Sequence, residues 1–317
     1  MYGHPDRALL TRPKMARGCE LCFMGVKAVI FITGLCDDGC YYCPVNREKL
    51  HRDVFYVNET PVTGIEEVIA EVERTGASSA SITGGDPLAR PDRTIEIIEG
   101  LKNEFSEGFH IHLYTSGRYA TPEILKALEY SGLDEIRFHP TRPELIKRVE
   151  IALRVTSMDV GIEIPIGPGL TGWAKQVILE ADRMGASFVN LNELEFVEPN
   201  AIELLKRGFR ESRKRPFTVE GAYEAAIEVL RWAEENVTIP VHFCPAVYKD
   251  AIQTRNRLVN TARRDKRWFE EVTRSGTLIY VEKNREGKCV AHEVYPTPSR
   301  KPIVASRTID CDNARID

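Results

Sequence analysis

Apolar runs of strand length alternate with helical stretches from residue 28 to residue 245, and a chain patterned this way has few folds open to it. Residues 28–33, 78–83, 110–115, 135–139, 160–165 and 188–192 read as strands, rich in β-branched and aromatic residues. Between them, 63–74, 92–105, 121–130, 142–154 and 171–184 carry apolar residues at helical spacing. Two more helical stretches, 201–207 and 221–236, lead to a shorter strand at 239–244. Strict alternation implies a parallel sheet, so the expected fold is α/β, a partial (β/α)6-type barrel over residues 28–245. In such a barrel the chemistry lies at the C-terminal ends of the strands.

The flanks have a different character. Residues 1–27 are mostly polar and end in Cys19-Glu-Leu-Cys22, an N-terminal segment bearing a C-x2-C pair. Residues 246–317 form an extension: a basic helix over 248–267, then a β-hairpin from 276–282 and 288–295, then an extended tail. The 317 residues, 43% hydrophobic and 28% charged, suit a soluble globular enzyme, and a net charge of −4 demands neither nucleic acid nor an anionic membrane. The first residues lack a signal-peptide core and no apolar run approaches membrane-span length, so the expected compartment is the cytoplasm. Eight cysteines, clustered as 19/22 and 36/40/43, point to metal ligands more than to a disulfide framework.

The loop that leaves the first strand reads Gly34-Leu-Cys-Asp-Asp-Gly-Cys-Tyr-Tyr-Cys-Pro44, a C-x3-C-x2-C spacing of Cys36, Cys40 and Cys43. Three thiolates on one loop can hold three irons of a [4Fe-4S] cube and leave the fourth iron open. The alternative is a structural zinc site on the same thiolates, although zinc knuckles usually come as two C-x2-C pairs.

The spacing, the aromatic Tyr42 and the strand in front resemble the radical S-adenosylmethionine (SAM) superfamily. Within it the chain is similar to a largely archaeal group described as related to pyruvate formate-lyase activating enzyme. Cys19-x2-Cys22, Cys36, Cys40-Tyr-Tyr-Cys43-Pro, Asn190-Leu-Asn-Glu-Leu-Glu195 and His242-Phe-Cys244 carry that likeness. The resemblance implies that SAM binds the open iron and is cleaved reductively to methionine and a 5′-deoxyadenosyl radical, which abstracts hydrogen from a substrate. It implies a radical SAM barrel, catalytic Cys36, Cys40 and Cys43, and an electron donor such as ferredoxin or flavodoxin. Gly84-Gly85-Asp86-Pro87 resembles the family's Gly-Gly-Glu-Pro turn, which contacts the SAM amino group; an ordinary βα turn would also read this way. Thr115 and Ser116, with Glu163 on the fifth strand, fall where the family contacts SAM, though small polar residues end many strands.

Asn190, Asn192, Glu193 and Glu195 crowd the end of the sixth strand, as candidates for holding substrate or as a solvated loop. Cys19, Cys22 and Cys244 could meet at the barrel mouth as ligands of a second [4Fe-4S] cluster, with Cys289, His242 or substrate as a fourth ligand. Buried free cysteines are the plain alternative. The expected substrate is a small molecule or a nucleoside within tRNA, the basic helix being a candidate RNA face. The alternatives are an activase that forms a glycyl radical on a partner protein, and a non-catalytic, metal-stabilised RNA-binding protein.

Overall fold

The computed structural model describes residues 1–3, 9–301 and 303–311. A helix, α1 (Arg17–Met24), precedes a sheet of seven parallel strands laid down in chain order. These are β1 (Lys27–Phe31), β2 (Ser79–Thr83), β3 (His110–Thr115), β4 (Glu135–Phe138), β5 (Asp159–Ile166), β6 (Phe188–Glu193) and β7 (Val241–Cys244). Parallel neighbours need crossovers. Helices α2 (Ile65–Thr75), α3 (Pro91–Phe105), α4 (Pro122–Tyr130), α5 (Ile146–Val155), α6 (Thr171–Met184), α7 (Glu198–Lys206) and α8 (Ala222–Asn236) supply them. Short antiparallel strands close the two edges, Tyr56–Val57 against β1 and Leu9–Leu10 against β7. This is the partial (β/α) barrel that the alternation predicts, with strand bounds shifted by a residue or two.

Strand residues alternate between faces. The outer set, among it Ile30, Ile82, Leu113, Ile136, Ile162, Leu191 and Phe243, is fully buried under the helices. The inner set is polar: His112, Tyr114, Glu135, Arg137, Glu163, Asn190, Asn192 and His242. Such a face cannot close on itself as an apolar core, and α1 lies against it. The Gly18 amide donates to Glu135 Oε2 at 3.1 Å, and Asn190 Nδ2 donates to the Cys19 sulfur at 3.3 Å. A Cβ at Gly18 would stand 2.6 Å from His112 Nδ1 and 2.7 Å from Arg137 Nη2, so only glycine lets the helix approach this far. The polar N-terminal segment, expected to lie across the mouth, instead puts a helix inside the barrel.

The expected basic helix 248–267 is broken. A turn at Ala246–Tyr248 runs into a π-helical stretch, Lys249–Thr254, and then α9 (Arg255–Asp265). α9 caps the carbonyls that α1 leaves unpaired at its end: Asn256 Nδ2 donates to Phe23 O (2.9 Å), and Asn260 Nδ2 to Met24 O (3.2 Å) and Gly25 O (3.1 Å). Beyond it stands a separate antiparallel sheet of β8 (Glu271–Val272), β9 (Leu278–Lys283), β10 (Cys289–Val294) and β11 (Ile303–Ile309). The expected hairpin is β9–β10, and the tail adds a third long strand. Asp265 joins this sheet to the barrel, accepting from Arg300 (2.7 Å) and from Arg74 on α2 (3.0 Å). Cys289 is bonded to Cys311 as a disulfide, which removes it as the fourth ligand suggested for a second cluster, while the clustered cysteines 19/22 and 36/40/43 remain free.

Candidate active site

The segment that leaves β1 is held from both sides. Gly85 N donates to Thr33 O (2.7 Å) and Asp86 N to Leu35 O (2.8 Å); on the other flank Gly34 N reaches Arg52 O (2.8 Å) and His51 N reaches Gly34 O (2.7 Å). A Cβ at Gly85 would lie 2.3 Å from Leu35 O, and one at Gly34 1.7 Å from Lys49 O. Backbone meets backbone here, which is why glycine stands at both positions. On this bed the next residues present Cys36, Cys40 and Cys43 to a single cavity of about 400 Å³.

Burial pushes the thiols up: Cys36 and Cys43 are raised, and Cys40 reaches about 11. A side chain missed in the sequence, Asp38, anchors the loop by accepting from Thr141 Oγ1 (2.8 Å) and Arg118 Nη2 (3.0 Å). Burial opposes its ionisation, but the polar side chains around it, Thr141 and Arg118 among them, outweigh burial and hold its carboxyl below the ordinary value. Tyr42, a second anchor, reaches His139 at the end of β4.

The turn after β2 and the end of β3 form the next wall. Gly84, Gly85, Thr115 and Ser116 line the cavity. Asp86 and Pro87 are not in the wall. Asp86 is 1% exposed, and its carboxylate accepts from Thr115 Oγ1 (2.9 Å), Ser116 Oγ (2.7 Å), Ser116 N (3.0 Å) and Leu88 N (3.0 Å). With its lone pairs occupied, Asp86 is a strut between two strand ends and has no free face for a ligand.

Opposite stand Glu163, Asn192, Glu193 and Glu195, joined by Lys249. Glu163 is fixed by Arg137 Nη1 (2.9 Å), Asn190 Nδ2 (3.1 Å) and Asn192 Nδ2 (2.7 Å). Burial opposes its charge, yet Arg137 and the two amides bring it down to about 2. Glu193 is committed elsewhere, accepting from Arg215 Nε (2.8 Å) and Ala246 N (2.9 Å). Glu195 pairs with Lys249 Nζ at 2.6 Å. Burial disfavours the Lys249 charge, but Glu195 and Cys244 more than compensate. Asn190 lies below the cavity wall, between Glu163, Cys19 and His242.

Cys19 and Cys22 lie three apart on α1, and Cys244 ends β7. Cys19 and Cys244 are buried, and Cys22 is half-buried. Both α1 thiols are within electrostatic reach of the Cys244 sulfur and of the Tyr114 hydroxyl. Phe23 and Tyr248 stack at 5.8 Å, packing α1 against the turn that follows β7.

Known proteins share parts of this sequence and fold. A model of the radical SAM superfamily matches residues 30–144. A protein of Methanocaldococcus jannaschii, whose name assigns it provisionally to the glycyl-radical enzyme activating enzymes, is 40% identical over 276 residues, covering 84% of this chain and 72% of that one. A PqqA peptide cyclase of Ruegeria pomeroyi is 31% identical over 120 residues, 37% of this chain and 30% of that one. Among solved structures, Streptococcus suis SuiB bound to the precursor peptide SuiA shares the fold at a TM-score of 0.51 and 12% identity, over 80% of this chain and 58% of that one. The cysteine loop, the barrel and these likenesses together mean that the chain belongs to the radical SAM superfamily, whose enzymes use a [4Fe-4S] cluster and S-adenosylmethionine.

Proposed function

We propose that this chain is an activating enzyme that takes a hydrogen atom from the Cα of a glycine in a partner polypeptide. The observation that carries this reading is 40% identity over 84% of the chain to a relative named for that activity. The cavity is consistent with it. At about 400 Å³ it is the size of one cofactor-sized ligand, so beside a bound SAM only a thin segment could reach in from outside. Glycine, with no side chain, is the thinnest residue. The expectation of a small molecule or a nucleoside within tRNA rests, on its RNA side, on the basic stretch, and part of that stretch is engaged within the chain. Arg257 of the basic stretch pairs with Glu59, Lys249 with Glu195, and the side chain of Arg264 packs over Gly76.

The residues present fit the cofactors. Cys36, Cys40 and Cys43 face one cavity on one rigid loop, and burial makes each thiolate depend on a neighbouring cation. Bound there, cluster and SAM supply one-electron chemistry that produces an oxidant able to take a hydrogen atom from carbon, given an electron from a ferredoxin- or flavodoxin-type donor. The chain's own part is placement. The Gly84–Gly85 backbone with Thr115 and Ser116 seats the methionine end of SAM. Glu163, held ionised, accepts from a ribose hydroxyl. Asn192 and the Lys249–Glu195 pair border the space through which the partner's chain enters, and the walls around them exclude water.

The test uses an extract of the source cells grown on glycine deuterated at Cα. The reconstituted enzyme is incubated with this extract, SAM and a reductant. Deuterated 5′-deoxyadenosine, with a protein-bound glycyl radical signal in electron paramagnetic resonance, is the expected result. Deuterium-free product that forms only when RNA or small metabolites are added would overturn the reading.

A further inference from the structure

The eight cysteines of the chain divide without remainder. Cys36, Cys40 and Cys43 face the cavity, and Cys289 and Cys311 are bonded to each other. Cys19, Cys22 and Cys244 remain, all free thiols, contributed by α1 and by the end of β7. Residues three apart on a helix share a face, so Cys19 and Cys22 present their sulfurs together. We propose that Cys19, Cys22 and Cys244 hold a second iron–sulfur cluster, of the four-iron cubane type, inside the barrel beneath the active-site cavity.

A second observation points to a ligand in the same place. Asn190 directs Nδ2 at the Glu163 carboxylate, 3.1 Å away, so that atom is a donor and its Oδ1 is the acceptor facing His242 Nδ1 at 3.2 Å. His242 Nδ1 therefore carries the proton, and Nε2 carries a lone pair. That lone pair is buried, and Nε2 has no partner among the described residues. An imidazole whose other nitrogen donates to a fixed acceptor is the arrangement found around metal centres. His242 and Cys244 alternate onto the same face of β7, and the Asn190 amide that fixes His242 also donates to Cys19.

Charge fits as well. A cube on three thiolates is an anion in a buried place and needs cations beside it. Arg137 acts on Cys19 and Lys249 on Cys244. Among the described residues no three His, Cys, Asp or Glu side chains converge as ligands of one metal ion. Zinc would draw its ligands to about 2.0–2.3 Å of a single centre, whereas a cube spreads its thiolates over separate irons. Glu163 and Lys249 border the cavity on one side and this triad on the other, so the two metal centres share a wall.

The test is anaerobic reconstitution of the full chain, with iron, sulfide and zinc counted. It compares wild type with the variants Cys36→Ala/Cys40→Ala/Cys43→Ala and Cys19→Ala/Cys22→Ala/Cys244→Ala. Each variant should keep about half of the wild-type iron and sulfide, since each loses one four-iron cube. The first variant, once reduced, should give a cluster signal in electron paramagnetic resonance that SAM does not change. Complete loss of iron in the first variant, unchanged iron in the second, or zinc without sulfide would overturn the proposal. Should the second variant fail to fold, the first decides alone. A wrong assignment of the catalytic cluster would show itself differently, as undiminished iron in the first variant with a signal that still responds to SAM.

Discussion

The hydroxyl of Tyr42 donates to Nε2 of His139 across 2.8 Å, and the direction is set from the other side of the ring. His139 Nδ1 lies 2.8 Å from the Glu163 carbonyl, which can only accept, so Nδ1 carries the proton and Nε2 receives. Burial lowers the pKa of His139 and favours this neutral form. One imidazole thus clamps the cysteine loop to the backbone of β5.

Tyr42→Phe removes the clamp's donor while keeping the ring. The expected cost is about 1 kcal/mol of stability, together with a looser loop and a reduced yield of 5′-deoxyadenosine. Thermal melts and product quantification read the two effects; a variant equal to wild type in both would mean that the clamp does not position the loop.

Gly85→Ala forces a Cβ to 2.3 Å from Leu35 O, where both neighbours are backbone. We expect a loss of about 1–3 kcal/mol, as for an overpacked site, and weaker SAM binding because the cysteine segment must shift. Denaturant unfolding and calorimetric SAM titration measure these. Unaltered SAM affinity would show that the turn and the loop move independently.

Arg137 sits with Glu135 and Glu163, exposed by 2%, 0% and 14% at their side chains. Arg137→Leu leaves two carboxylates without their cation, which typically costs about 3–5 kcal/mol. Adding Glu135→Gln should recover part of that loss. A single variant as stable as wild type would mean that the inner face tolerates bare charge.

Asp53 is held at about 2, against an ordinary 3.8, chiefly by its hydrogen bond from Arg93 and also by Thr33 and Arg90. Its folded pKa is depressed, so its contribution is fully present above pH 3.8 and fades as pH falls through about 2. The stability difference between wild type and Asp53→Asn should therefore hold steady near neutrality and shrink within that acid window. A difference independent of pH down to 2 would contradict the assignment.

Much of the barrel is legible in the sequence because its strands are long apolar runs whose outer residues have one place to go. The site is legible where function left a spacing, as in Cys36–Cys43, or a polar cluster at a strand end, as in Asn192–Glu195. Single residues whose meaning depends on a distant partner are not. Asp38, His139 and Lys249 matter because of Arg118, Tyr42 and Glu195, each far away in the chain. α1 escaped notice because eight residues facing polar groups carry little apolar periodicity. The extended tail is legible but its pairing as β11 is not, because its residues are mostly exposed and the pairing comes from the backbone. Asp86 misled in the opposite sense, since a residue that ties two strand ends together sits where a ligand contact is expected.

The helix inside the barrel also sets an order of assembly. Cys36, Cys40 and Cys43 are gathered by one short loop and can meet iron as soon as β1 and β2 pair. Cys19 and Cys22 leave the ribosome earlier still, yet Cys244, the thiol that completes their group, is among the last parts of the barrel to emerge. Closing that long a chain segment requires the intervening strands to be in place. If Cys19, Cys22 and Cys244 hold the cluster we propose, metal loading follows that order, a local centre first and a centre that only the finished fold can hold second, and the inner triad then serves as a checkpoint on a completed barrel.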